Sequence, residues 1–434
     1  MEKSVVLIYP YFRDEDPVEK LFSPLGIAYL ASQLKEILVP VSIVDCTFES
    51  FNEVVETIVL INPAIIGISI MISNSKNAFS LAQALRKGLP DALILAGGPL
   101  PTLYPERFLP DFDLIFRGEG DLIMPNFCKN YLEAKDVPLF LSKLDPADYP
   151  GIYFKSDQIL RSSPQIHHSE EIIRSLPLPY RGGSQNALYQ HFWRKEAQCR
   201  PATIMMTRGC PYSCEFCSKP VWGSEFRKPS LDKVFEEIIE IKKLGYDQLW
   251  IADDSFTLDL NFLKEFCREK IRRRIAMNWT CLSRTKGLDS EVAELMKQAG
   301  CIKVYLGLES GSDEVLRLMR KNTTVRNGSD AVALFQQAGI RTAGFFIVGY
   351  PGETWDTVQK TFDFALSLPL SEIFFNVPIP LPGSALFSRV VGVDRQGDWE
   401  KASDVKFLYD SDFDEEELRR NIERTMAEFK RRRA

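Results

Sequence analysis

The chain reads as two successions of short apolar runs separated by amphipathic segments. In the first, runs rich in Val, Ile and Leu fall at 5–9, 41–45, 65–70, 93–96 and 114–117, with helical periodicity between them. Five strands with intervening helices predict a doubly wound parallel sheet of the Rossmann or flavodoxin type. The second succession predicts strands at 202–207, 248–252, 277–283, 303–308, 341–348 and 372–377. Six βα units predict a partial (β/α)6 barrel of the TIM type. Its helices carry ordinary punctuation, such as Ser230 as N-cap, an apolar face at Leu231, Val234, Phe235, Ile238 and Ile241, and Gly245 as the stop. The fold class is α/β. The expected divisions are a first domain at 1–140, a partly structured linker rich in Pro, Ser and polar residues at 141–200, the barrel at 201–383 and a short helical region at 384–434.

Composition narrows the function classes. With 434 residues, 45% of them hydrophobic, the chain can bury more than one core. Its 53 basic and 59 acidic residues are well mixed, which argues against a nucleic-acid footprint, and the run Lys430-Arg431-Arg432-Arg433 reads as a solvated helix end. The longest apolar stretches, such as 64–72, are strand-length and too short for a membrane span. Met1-Glu2-Lys3 leads directly into a strand rather than a signal peptide, so a cytoplasmic protein is expected. Of nine cysteines, six are scattered and three are clustered, the usage of a reduced compartment with a metal site.

That cluster is Arg208-Gly209-Cys210-Pro211-Tyr212-Ser213-Cys214-Glu215-Phe216-Cys217, directly after the first barrel strand. Three thiolates then sit at the C-terminal mouth, where barrel active sites lie. Three ligands to a four-iron cluster leave one iron open for a chelating substrate. A structural zinc wants a fourth ligand, and no His or Cys follows until Cys267.

With this CxxxCxxC spacing and the aromatic Phe216 before its last cysteine, the stretch 202–383 resembles the radical S-adenosylmethionine superfamily. The resemblance implies a 4Fe-4S cluster on Cys210, Cys214 and Cys217 whose open iron chelates S-adenosylmethionine, and an external electron donor of flavodoxin or ferredoxin type. It also implies cofactor contacts along the barrel mouth. Asp253 and Asp254 match the motif that meets the methionine amine, or they are strand-end carboxylates in a turn. Glu309 and Ser310, in Gly307-Leu308-Glu309-Ser310-Gly311, match the ribose-contacting position. Gly349, in the stretch 344–353, matches the strand that packs the adenine. Arg284 is a candidate for the methionine carboxylate or a surface salt bridge, and Cys281 reads as a buried small hydrophobe or, less favoured, a hydrogen donor. Asn376, Pro378, Pro380 and Pro382 are expected to line the pocket.

In the first domain, small or glycine-rich turns follow three strands: Ser69 to Ser75, Gly97-Gly98-Pro99 and Gly118-Glu119-Gly120-Asp121. Together with the helix opening at 23–31, they resemble the cobalamin-binding domain found ahead of many radical S-adenosylmethionine barrels. That resemblance covers about 5–135 and implies cobalamin held near Ser69, Gly97, Gly98, Pro99, Gly118, Glu119 and Gly120. Two features depart from it. Leu100 stands where relatives often carry His, and no His precedes His167, so the DxHxxG motif that supplies a lower imidazole to cobalt is absent. His167, His168 and His191 fall in the linker and are expected at the surface or in caps.

The resemblance implies a cobalamin-dependent radical methyltransferase that uses a 5'-deoxyadenosyl radical and methylcobalamin to methylate an unactivated carbon of a small biosynthetic substrate. A cyclase or rearrangement enzyme with the same cofactors is the alternative. A methylthiotransferase would need Cys46, Cys128 and Cys199 to converge on a second cluster, and a non-catalytic corrinoid or iron-sulfur carrier would not need Asp253, Asp254 and Glu309.

Overall fold

The computed structural model describes residues 3–13, 21–156, 158–183, 185–217, 221–390, 407, 409 and 411–433. The chain divides into two compact units, Met1–Arg200 with Glu236–Gly245, and Pro201–Phe235 with Tyr246–Ala434.

The first unit is built on strands β1 (Val5–Tyr9), β2 (Val41–Asp45), β3 (Ile65–Ser69), β4 (Leu93–Gly97) and β5 (Leu114–Phe116), parallel in the order β2-β1-β3-β4-β5. Because side chains alternate across a strand, each apolar run feeds two cores. Val6, Ile8, Ile66, Ile68, Ile94 and Ile115 enter one face, and Val5, Leu7, Ile65, Leu93, Leu95 and Phe116 the other. This is the doubly wound sheet expected from the sequence. Two strands were not foreseen. Within the supposed linker, β6 (Ile152–Ser156) pairs antiparallel with β5, and β7 (Ile159–Ser162) pairs antiparallel with β6, so the sheet has seven strands. Their sequences, IYFKS and ILRS, mix polar with apolar residues, and β7 forms the edge of the sheet.

The second unit is a six-stranded parallel wall. Strands β8 (Pro201–Ile204), β9 (Gln248–Ile251), β10 (Asn278–Ser283), β11 (Cys301–Glu309), β12 (Arg341–Ile347) and β13 (Glu372–Asn376) pair in sequential order, each with the next. Sequential parallel pairing with a helix in each crossover is the connectivity of a partial barrel. Leu249, Ile251, Trp279, Val304 and Leu306 are fully buried on one side of the wall. On the concave side, the rings of Trp250 and Tyr305 meet at 5.0 Å although β10 separates their strands, and Phe345 and Phe374 extend the layer at 5.1 Å.

The helix Leu231–Lys243 begins where Ser230 Oγ accepts the Lys233 N–H at 3.4 Å. Its chain then turns at Gly245, with φ +92°. The helix Glu415–Arg433 contributes Leu418 to a core with Val348, Val358 and Phe362. Its basic last turn is not merely solvated, since Arg432 and Arg433 donate to the Leu366 and Leu368 carbonyls at the end of helix Trp355–Ser367. Among the described residues, no helix is long and apolar enough to cross a membrane. Met1 and Glu2, and residues 391–406 of the expected C-terminal region, lie outside the described residues.

Candidate functional site

The cysteine loop leaves β8 at the carboxyl end of the barrel wall and is tied at its base. The Arg208 and Arg227 backbones exchange N–H···O bonds of 2.9 and 3.0 Å, and Cys210 N–H donates to Gly223 O at 3.4 Å. Gly209, at φ +84°, is needed there because a Cβ would fall 2.1 Å from the Glu225 carbonyl oxygen. Cys210, Cys214 and Cys217 are half-buried, whereas Cys46, Cys128, Cys267, Cys281 and Cys301 are buried. Phe216 packs with Val315, Met319, Ile347, Tyr350 and Leu386, which turns the loop's aromatic residue into the barrel wall.

Two cations flank this loop. Arg284, just beyond β10, lies with its guanidinium 3.6 Å from the Tyr212 ring centroid and one nitrogen 3.7 Å from Cys214 Sγ. Its other amino group donates to the Lys321 carbonyl. Arg284 is thus a loop partner and not a surface salt bridge. Lys321, which carries no sequence signal, sends its ammonium to Glu309 Oε1 at 2.5 Å and lies 5.7 Å from the Phe216 ring. Glu309 ends β11 at a register shift, with φ +62°.

Other expected contacts are committed elsewhere. Asp253 is 1% exposed, and its two oxygens accept the Met206 N–H and the Thr207 hydroxyl, both at 2.7 Å. Burial raises its carboxyl to about 7. It therefore fixes the approach to the cysteine loop rather than presenting itself to an ammonium, and Asp254, which is exposed, is the member of the pair available at the mouth. Ser310 is fully buried, its oxygen 3.1 Å from Thr361 Oγ1 and accepting the Ser312 N–H at 3.1 Å, so it secures the turn instead of facing a ribose. The Gly349 Cα is covered by Phe407 and Leu418, and its carbonyl accepts the Tyr409 hydroxyl at 3.1 Å, so C-terminal side chains occupy its open side. Cys281 shares the fully buried strand face of Trp279, whose ring packs on Phe266, away from the concave side. That placement removes the hydrogen-donor reading. Asn376 is exposed, but Pro378, Pro380 and Pro382 are buried.

In the first unit the glycine turns follow β4 and β5. Gly98 presses on the backbone just beyond β3, where a Cβ would fall 2.9 Å from both the nitrogen and the oxygen of Ile70, and Ser69 closes that strand. Pro99 opens the short helix Pro99–Leu103. Thr102, not foreseen, joins two turns: its hydroxyl donates to Gly98 O at 2.8 Å and accepts the Gly118 N–H at 2.9 Å. Gly118 and Glu119 do not border an open crevice. Ile166 lies against Gly118, and the buried Glu119 carboxylate accepts the His168 N–H. His168 is itself buried, Nε2 3.6 Å from Asp121 Oδ2, unlike the exposed His167 and His191. Bare backbone remains at Gly26, with no atom within 4 Å of a Cβ position, at Gly97, where the nearest is at 3.9 Å, and at Gly120, at 3.7 Å. The helix Leu25–Glu36, whose first turn contains Gly26, starts without a side-chain cap.

The donor set fits an iron-sulfur cluster. Among the described residues no three Cys, His, Asp or Glu side chains gather closely enough for a single metal ion. Three thiols along one loop instead suit a cluster in which separate irons each take one sulfur. Cys46 and Cys128 belong to cores on opposite faces of the first sheet, so they do not converge on a second cluster. The open glycine backbone and uncapped helix of the first unit leave space and donors for the amide-rich rim of a corrinoid.

Comparison with known proteins agrees. Residues 204–365 match the radical SAM superfamily model and residues 16–127 the B12 binding domain model. An uncharacterised methyltransferase of Pyrococcus horikoshii is 29% identical over 379 residues, 85% of this chain and 78% of that protein. The anaerobic magnesium-protoporphyrin IX monomethyl ester cyclase of Rubrivivax gelatinosus is 28% identical over 440 residues, 98% of this chain and 77% of that one. The radical S-adenosylmethionine methyltransferase TsrM from Kitasatospora setae, solved with cobalamin and a [4Fe-4S] cluster, shares the fold with a TM-score of 0.72 at 19% identity, covering 90% of this chain and 75% of that chain. The chain therefore carries a radical SAM domain and a B12-binding domain, and these domains imply a 4Fe-4S cluster, S-adenosylmethionine and cobalamin as cofactors.

Proposed function

We propose that this protein is a cobalamin-dependent radical S-adenosylmethionine methyltransferase acting on an unactivated carbon of a small molecule. The observation that carries the reading is the pairing of a B12-binding domain with a radical SAM domain in a chain similar, over 85% of its length, to a methyltransferase. When bound, the cluster with S-adenosylmethionine supplies radical chemistry and cobalamin supplies a transferable methyl group.

The chain's own residues bind, orient and shield. Cys210, Cys214 and Cys217 hold the cluster, and Asp253 fixes the strand end from which their loop departs. Arg284, stacked on Tyr212, sets a cation beside the loop that suits a carboxylate. Asp254 offers an acceptor for an ammonium, and Glu309, held by Lys321, one for hydroxyls. Trp250, Tyr305, Phe345 and Phe374 form an apolar floor on the concave face that excludes water from the reacting substrate. Residues 1–140 serve as the cobalamin domain, 141–200 as a segment that adds strands β6 and β7 to its sheet, and 201–383 as the barrel, against which Leu418 of the C-terminal region packs. An external flavodoxin- or ferredoxin-type protein provides the electron.

A second reading, cyclisation without methyl transfer, is favoured by the similarity to a cyclase over 98% of the chain. Incubation with methyl-labelled S-adenosylmethionine and candidate substrates separates the two. Label in the product supports methyl transfer, and deoxyadenosine formation with unlabelled product supports cyclisation or rearrangement. Neither product supports a carrier.

A further inference from the structure

Glu215 lies between the second and third cysteines of the loop, where their spacing asks nothing of the residue. It is nevertheless a charged residue only 4% exposed, and each of its polar groups has a partner. Its N–H donates to Met319 O at 3.0 Å, and its carbonyl accepts the Leu386 N–H at 2.8 Å. Carboxylate Oε1 is 3.2 Å from Arg320 Nε. Oε2 accepts the Tyr350 hydroxyl at 3.2 Å and an Arg389 amino group. A carboxylate withdrawn from water persists only with such charge partners and hydrogen bonds.

The partners come from separate parts of the barrel unit: the residues after helix Asp313–Leu318, the turn after β12 and the helix Ala385–Arg389. Two further backbone bonds lie within the loop or at its base. Cys217 N–H reaches Cys214 O at 3.2 Å, and Cys210 N–H reaches Gly223 O at 3.4 Å. Glu215 thus adds five polar contacts with the barrel to the packing of Phe216 and the approach of Arg284 to Cys214, all within the stretch that carries Cys214 and Cys217.

We propose that Glu215 is the positioning residue of the cysteine loop. Paired with Arg320 and Arg389, it holds Cys214 and Cys217 in the arrangement that receives the cluster, and through Leu386 and Arg389 it makes that arrangement depend on the docking of helix Ala385–Arg389. This rests on the assignment of Cys210, Cys214 and Cys217 as cluster ligands.

The test uses the full chain, reconstituted anaerobically with iron and sulfide, as wild type, Glu215→Ala, Arg389→Ala, Arg389→Lys and the Cys210→Ala/Cys214→Ala/Cys217→Ala variant. Two quantities are read: the rate of iron release to a ferrous chelator, and the electron paramagnetic resonance spectrum of the reduced cluster with and without S-adenosylmethionine. Because release follows local opening of the loop, Glu215→Ala and Arg389→Ala should bind the cluster but lose iron more than about threefold faster, with altered spectra. Arg389→Lys should restore both quantities toward wild type. The Arg389 side chain is 38% exposed, so Arg389→Ala decides the matter even if Glu215→Ala does not fold. Release within about threefold of wild type and an unchanged spectrum in Arg389→Ala would overturn the proposal. Retention of the cluster by the triple cysteine variant would instead overturn the ligand assignment beneath it.

Discussion

The Lys321 ammonium and the Glu309 carboxylate meet at 2.5 Å across the Cα of Gly307, where a Cβ would stand 2.6 Å from Glu309 Oε1 and 2.8 Å from Lys321 Nζ. Glycine at 307 is thus what lets the pair close over the strand. Both side chains are no more than 10% exposed, so removing one partner strands the other's charge. Lys321→Ala should lose about 3 kcal/mol in denaturant unfolding of the cluster-free protein, with Glu309→Gln/Lys321→Met recovering much of it. Gly307→Ala should cost less than Lys321→Ala, because only the flexible ends of the two side chains need move and no charge is stranded. Single and double variants of equal stability would contradict a buried pair.

Stability should fall as pH rises through the mildly acidic range. Burial raises the Asp253 carboxyl from 3.8 to about 7, so between those values the folded chain binds a proton that the unfolded chain has released. The favourable contribution is complete below the unfolded value and is lost as pH rises through the folded one. Asp253→Asn should flatten the thermal midpoint of the cluster-free protein between pH 4 and 7. An unaltered slope would show that Asp253 is not the group responsible.

Cys281→Ala should leave deoxyadenosine formation within about threefold of wild type, since the thiol behaves as a small buried hydrophobe on the helix-facing side of β10. Loss of all turnover with full cofactor content would restore a chemical role.

Bound cobalamin should have no histidine on its lower face. The chain has three histidines, of which His167 and His191 are exposed and His168 is buried beside Asp121. Any nitrogen superhyperfine splitting in the electron paramagnetic resonance of the cob(II)alamin form should be unchanged in His168→Ala, because cobalamin's own dimethylbenzimidazole is then its only nitrogen source. Splitting that disappears in His168→Ala would mean that the 165–168 segment opens to supply the ligand.

The positions of β1, β3, β4 and β5 were legible because these parallel strands are buried on both faces and so spell short runs dominated by Val, Ile and Leu. The antiparallel strands β6 and β7 lack that signature, since Ile159 and Leu160 are exposed and Lys155 and Arg161 interrupt the pattern. The cysteine spacing marked the loop, but which mouth residue turns inward is a matter of register and tertiary partners. Asp253 and Asp254 are adjacent and alike in sequence, yet one is clamped by Met206 and Thr207 while the other faces solvent. Lys321, Thr102 and Glu215 carry no local motif. Their roles arise from residues brought together by folding, as with Thr102 and Gly118, sixteen positions apart.

If one loop holds the cluster from which S-adenosylmethionine is cleaved, both cluster and cleavage must vanish with its three thiols. The direct measurement is iron and labile sulfide per chain, with deoxyadenosine formation, for wild type and the Cys210→Ala/Cys214→Ala/Cys217→Ala variant after anaerobic reconstitution. Wild type should hold about four irons and form deoxyadenosine on reduction, and the variant should do neither. A variant that retains the cluster and still cleaves S-adenosylmethionine would contradict the account.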